Sequence, residues 1–132
     1  MGEKRYHIGD VLSVTTGRVV SPRHVDGLVD ILQFMTGERL YSHQLPRAIE
    51  NCKPHLVTQY PWLDSPMINV MAVGELILLL DTAPGKEEPE KLTLGWLSKL
   101  ASGRYGVQCE GVDSDMMLSV LPLGSSVAED PP

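Results

Sequence analysis

Five side chains near the start of this chain could do recognition chemistry: Arg18, Arg23, His24, His43 and Arg47. They sit in residues 7–47, a run holding three histidines, four arginines and several Ser/Thr hydroxyls between apolar positions. Thr15-Thr16-Gly17-Arg18 and Ser21-Pro22-Arg23-His24 set hydroxyls and two guanidinium groups beside an expected helix start. Helix N-termini favour anions, and Arg adds paired hydrogen bonds to phosphate or carboxylate. No GKS/T follows, so the segment is not a P-loop.

Other chemistries fit less well. His7, His24 and His43 lie 17 and 19 residues apart, which is no recognised metal-ligand spacing. No metal site and no cofactor are expected. Ser21, Ser42 or Cys52 can be paired on paper with His24 or His43. None sits in a nucleophile-elbow or papain-like context, so no catalytic residues are assigned and the chain is not expected to be an enzyme. Asp26 and Asp30 are one helical turn apart beside an apolar stripe, the spacing of a solvated face. Cys52 and Cys109 form no CxxC and read as reduced thiols of a cytosolic protein.

Helices must position these groups. Asp10 is expected to cap a short helix over 11–16 with Gly17 as its stop, a strand being the rival because Val and Thr favour strands. Ser21-Pro22 starts a second helix whose apolar stripe runs from Val25 to Met35, with Gly37 closing it. Leu45-Pro46 opens a third helix to about Cys52. Pro54 marks a boundary to a further turn or two before Pro61. Residues 62–69 read as a connector, with Tyr60, Trp62 and Met67 as an interface candidate. A buried helix is expected over 70–82, a loop after it, and a helix over 91–102 with Trp96, Leu97 and Leu100 in its stripe. The alternation at 107–112 makes that segment the expected strand. Residues 1–6 are expected to fray.

The fold class that results is α+β: a mostly helical single domain with a small C-terminal β element. The domain is expected over 1–118 and an acidic, Pro/Ser-rich flexible tail over 119–132. The 132-residue length suffices for one core. No basic-plus-apolar leader opens the sequence and no apolar run is long enough for a membrane span, so a cytoplasmic protein is expected.

Charge divides the chain. Residues 1–60 carry seven Lys/Arg against six Asp/Glu, and residues 61–132 carry four against eleven. The second part repels phosphate backbones, which excludes a general nucleic-acid binder. Glu87, Glu88 and Glu90 are the candidate acidic contacts for a basic protein surface, where complementary charge speeds encounter.

The residues Asp10-Val11-Leu12-Ser13-Val14-Thr15-Thr16-Gly17, then His24 and Gly27, Phe34-Met35-Thr36-Gly37 and His43-Gln44-Leu45-Pro46-Arg47 carry a resemblance. Trp96-Leu97 and Tyr105-Gly106 extend it more weakly. The chain resembles a family of small uncharacterised proteins encoded mainly by bacteriophages and prophages, over about residues 7–112. It departs from that pattern at Gln33, where Asn is usual, and Ser42, where Thr is usual. The resemblance implies phage origin and no mechanism. The expected function is a non-enzymatic binding protein that blocks a host protein: an anti-defence, anti-CRISPR-like inhibitor engaging a basic, nucleic-acid-binding surface. A module binding an anionic nucleotide near Arg18 and Arg23 is one alternative. A phage structural or assembly component, forming a homo-oligomer, is another.

Overall fold

The computed structural model describes residues 2–82 and 88–123. Their order is β1 (Lys4–His7), α1 (Ile8–Thr16), α2 (Val25–Thr36), α3 (Leu45–Gln59), α4 (Val73–Thr82), α5 (Pro89–Ala101) and β2 (Met117–Val120). Short 3-10 turns occupy Ser42–Gln44 and Pro61–Asp64, and a π-helical turn, Met67–Ala72, leads into α4. The fold is the expected mostly helical α+β domain, with five α-helices and one two-stranded antiparallel sheet.

α1 is the centre of the core. Ile8, Val11, Leu12 and Val14 are all fully buried, because α2 and α3 both pack on it. A helix apolar on most sides can only be stable inside. Burying four such side chains contributes about 2 kcal/mol each, against a strand preference spanning about 1 kcal/mol, so burial decides for the helix. The helix starts three residues before the expected Val11. His7 caps it, its Nδ1 accepting the Gly9 amide at 2.9 Å, and Gly17 ends it at φ 76°. Asp10 is therefore not the cap. It lies inside the first turn, and its side chain is taken up by a tertiary contact.

α2, by contrast, begins later than expected, at Val25. Ser21 accepts the Arg23 amide through its hydroxyl at 3.0 Å and the His24 amide through its carbonyl at 2.9 Å. These bonds close a separate turn over 21–24. His24 leaves that turn at φ 59°, a conformation incompatible with continuing a helix. Leu28, Ile31, Leu32 and Met35 then form the buried stripe, and Gly37 takes the left-handed stop.

α3 runs unbroken through Pro54, where a boundary was expected. Ala48, Cys52 and Leu56 are buried at four-residue spacing. Breaking the helix at Pro54 would pull Leu56 out of the core, and its burial together with that of Cys52 offsets the roughly 3 kcal/mol an interior proline costs. In α5, Trp96, Leu97 and Leu100 are buried as expected. Trp96 Nε1 donates to the Ala72 carbonyl at 2.8 Å. That carbonyl belongs to the π-turn, a form in which backbone groups leave the regular ladder.

The sheet lies elsewhere than expected. Residues 107–112 form no strand: Glu110 and Gly111 make a turn, Gly111 has a positive φ, and the remaining residues are irregular. The strand is β2, paired with β1 in the register Lys4↔Val120 to His7↔Met117. Of the residues expected to fray, Lys4, Arg5 and Tyr6 are thus pinned in a strand, and Tyr6 is buried. α3 covers the outer edge of β2: Gln59 Nε2 and the Tyr60 hydroxyl both donate to the Ser119 carbonyl. Packed chain continues past the expected domain limit at 118: Leu118 and Val120 are fully buried and Leu123 packs against the core. Most of the expected tail, residues 124–132, lies outside the described residues.

Candidate functional site

The five candidate side chains go to four places. Arg23 belongs to a network built where the 21–24 turn meets α1 and α2. Asp10, 1% exposed, accepts from Arg23 at 2.9 Å and from the Ser21 hydroxyl. Arg23 also reaches Asp30 at 2.9 Å. The Tyr6 hydroxyl donates to the same Asp30 carboxylate at 3.0 Å, and Lys4 lies 3.6 Å from it. Burial pushes the Asp30 carboxyl up, but hydrogen bonds from Arg23 and Tyr6 and the Lys4 and Arg23 charges outweigh it and hold it below its usual range. The Arg23 guanidinium is occupied by two carboxylates. A buried carboxylate needs such partners.

His43 and Arg47 share one place, a broad cleft of about 600 Å³ between the end of α2 and the start of α3. Thr36, Glu38, Gln44 and Asn51 also line it. The 3-10 turn before α3 positions the pair. Gln44 accepts the Tyr41 amide through its side chain at 2.8 Å, and Pro46 supplies a rigid first helical turn. Tyr41, 63% exposed, stacks on His43 with the rings 3° from parallel and 6.3 Å between centroids. Arg47 is exposed and makes no ion pair among the described residues. Sequence reasoning missed Tyr41. Its signal was an aromatic two residues before His43 in a polar, Gly-started segment.

His24 stands apart from both. Its Nε2 is 2.6 Å from Glu90 at the start of α5, so a candidate binding side chain and a candidate acidic contact pair with each other. They border a smaller cleft of about 190 Å³ walled by Val19, Pro22, Leu80 and Leu94. Arg18 is exposed on the turn after α1, its amide bound to the Thr16 hydroxyl. Glu88 is exposed. Glu87 lies outside the described residues.

The histidines do not converge. His7 caps α1, where burial lowers its imidazole from the ordinary value, Asp10 opposes that and Arg23 adds to it. Among the described residues no group of three or more His, Cys, Asp or Glu side chains could hold a metal ion. Burial pushes both thiols, Cys52 and Cys109, up to about 11, which opposes thiolate chemistry at neutral pH. No described helix is long and apolar enough to cross a membrane.

A family model described as a domain of unknown function, DUF7736, matches residues 6–65. Asp10, Arg23, Asp30, Tyr41, His43 and Arg47 all lie inside that match, while Lys4 of the network and Leu123 of the cleft lie outside it. α4, α5 and β2 lie beyond it. No curated protein and no solved structure matches the chain.

Proposed function

We propose that this chain is a non-enzymatic binding protein of phage or prophage origin that blocks a host protein, in its sharpest form an anti-CRISPR-like inhibitor of a host defence. The observation that supports the reading best is the cleft mouth, where exposed Tyr41 stacks on His43 beside unpaired Arg47. Tyr and Arg dominate the energetics of protein interfaces. Two stacked rings are already ordered, so docking on them costs little side-chain entropy. The acidic second part of the chain supplies the steering: Asp64, Asp81, Glu88, Glu110 and Asp115 are exposed, and none is paired with a described Lys or Arg. That charge suits a basic, nucleic-acid-binding surface on the target.

The experiment is a plaque assay in cells whose CRISPR or other defence restricts a phage. Expression of the chain should restore plaquing, and Tyr41→Ala with Arg47→Ala should abolish the rescue while leaving the fold intact. Failure across a panel of defences ends the inhibitor reading. Once the target is in hand, Glu88→Gln and Glu90→Gln should slow association and flatten its salt dependence. The small-ligand alternative, expected near Arg18 and Arg23, moves to the cleft because Asp10 and Asp30 occupy Arg23, whereas Arg47 and His43 face one cleft and no described carboxylate pairs with Arg47. Calorimetry against a panel of nucleotides separates the two, since heat that Arg47→Ala removes favours the ligand.

A further inference from the structure

The two edges of the small sheet differ. The Ile8 amide donates to the Met116 carbonyl at 2.8 Å, which carries the ladder one residue past the His7↔Met117 pair. Bonded and non-bonded pairs alternate along an antiparallel ladder. Tyr6 and Lys4 therefore bond across to β2, and the main-chain groups of Arg5 and His7 point the other way. On the far side of β2, Gln59 and Tyr60 take the Ser119 carbonyl. Asp113 takes the Met117 amide with its carboxylate and the Met117 carbonyl with its own amide. On β1 the Arg5 amide, the Arg5 carbonyl and the His7 amide have no such partner among the described residues.

A groove of about 320 Å³ runs beside that open edge. All four β1 residues line it, with Pro22 and Arg23 across from them. Successive strand residues point to opposite faces, so a groove lined by four in a row follows the edge and not one face. Lys4, Arg5 and Arg23 are each about half exposed there. The groove's two carboxylates, Asp10 and Asp30, are already held by Arg23, and Arg5 reaches Asp113 outside it.

We infer that this edge accepts an extended segment of another protein as a third strand, one that sets Asp or Glu opposite Lys4 and Arg5. A donor, an acceptor and a second donor at strand spacing match an extended backbone, the pattern of strand addition to a sheet edge. Lys and Arg on an edge repel indiscriminate pairing. The same charges favour a strand with carboxylates opposite them. A second copy fits poorly, because two-fold pairing through Arg5 sets the two Arg5 side chains opposite each other. The described chain after β2 leaves on the other side of the sheet: Gln59 accepts the Leu121 amide, and Leu123 lies at the α2–α3 cleft. The inference does not rest on the inhibitor reading, whose contacts lie on that cleft and on the acidic second part of the chain.

Amide exchange of the full chain, followed by NMR, tests the free edge. The Arg5 and His7 amides should exchange fast and the Tyr6 amide slowly. Protected Arg5 and His7 amides show an edge already filled and overturn the inference. Random linear peptides selected on the full chain should be rich in Asp and Glu, and their synthetic forms should shift the Arg5 and His7 amide resonances. Arg5→Pro removes an outward amide and spares the β1–β2 ladder, since proline fits an edge strand whose nitrogen faces out. It should weaken peptide binding about tenfold with unchanged circular dichroism. Arg5→Gln keeps the amide and should weaken acidic peptides only about twofold to fivefold; if Arg5→Pro does not fold, this variant and the resonance map decide. Selection that yields no peptide or no acidic preference overturns the inference. So do peptides that map to the Tyr41–His43–Arg47 cleft, and binding that a folded Arg5→Pro leaves intact. A free chain whose mass rises toward a dimer, and falls back with Arg5→Pro, overturns it by giving the edge to a second copy.

Discussion

Arg23 holds the buried carboxylate of Asp10 at 2.9 Å, joining the turn before α2 to the first turn of α1. The contact gives Arg23 a structural task and leaves Arg47 as the unpaired guanidinium of the candidate cleft. Replacing Arg23 with Ala should destabilise the protein by about 1–3 kcal/mol, because Asp10 keeps only the Ser21 hydroxyl while its own burial persists. Arg18→Ala and Arg47→Ala should each stay within about 0.5 kcal/mol of wild type. Urea denaturation of the three variants checks this, and equal losses in all three would remove the structural role given to Arg23.

Gly27 is where α2 passes closest to that network. A Cβ there would collide with the Ser21 hydroxyl and the Asp10 carboxylate. Gly27→Ala should cost about 2–3 kcal/mol, as overpacking at a fixed polar site does. Gly95, on the exposed side of α5, has open space around it, so Gly95→Ala should stabilise by about 0.5–1 kcal/mol through helix propensity. Thermal melts that rank the two variants the other way would contradict the geometry.

His7 ties stability to pH. Its Nδ1 accepts the Gly9 amide at 2.9 Å, which only a neutral imidazole can do at that nitrogen. Burial, helped by Arg23, lowers its folded value. The unfolded chain therefore takes the proton first as pH falls. The cap's contribution is full above the unfolded value of about 6.5 and declines as pH drops below it toward the folded value. His7→Asn should keep a cap and flatten the slope below the unfolded value of about 6.5. His7→Ala should lose about 1 kcal/mol at pH 7. Denaturation at several pH values reads both effects, and a slope left intact in His7→Asn would assign it to another group.

Asp30 acts on the acid side. Its folded carboxyl is held low once Arg23, Tyr6 and Lys4 outweigh its burial. A depressed carboxylate stabilises above the unfolded value of about 3.9, and that stability fades as pH falls through the folded one. Asp30→Asn should be less stable at neutral pH and should lose less on acidification. Parallel acid titrations of the two proteins followed by circular dichroism test this.

Cys52 is fully buried, and burial pushes its thiol up to about 11. Alkylation at pH 8 should be slow in the native protein and fast in urea. Rapid native labelling of Cys52 would show that α3 opens at Pro54.

The sequence by itself determined the helical stripes, the glycine stops at Gly17 and Gly37 and the fold class. Those signals are local: a 3.6-residue period, or a residue that alone tolerates positive φ, can be read from neighbours. The sequence also left His43 and Arg47 without a structural task, but only the packing of α2 beside α3 set them on one cleft. Only tertiary structure decided what lies far apart in the chain. β1 and β2 pair residues 110 to 116 positions apart, His7 with Met117 and Lys4 with Val120, and four-residue strands carry too little pattern to announce each other. Asp10 and Ser21 both read as caps, yet each was drawn into a contact with the other and with Arg23, whose carboxylate partners lie 13 and 7 residues away. Pro54 read as a break until Leu56 proved to be core. In each case burial or ion pairing worth a few kcal/mol overrode a local preference worth about one, or offset a larger local penalty, and that gain exists only once the helices have met.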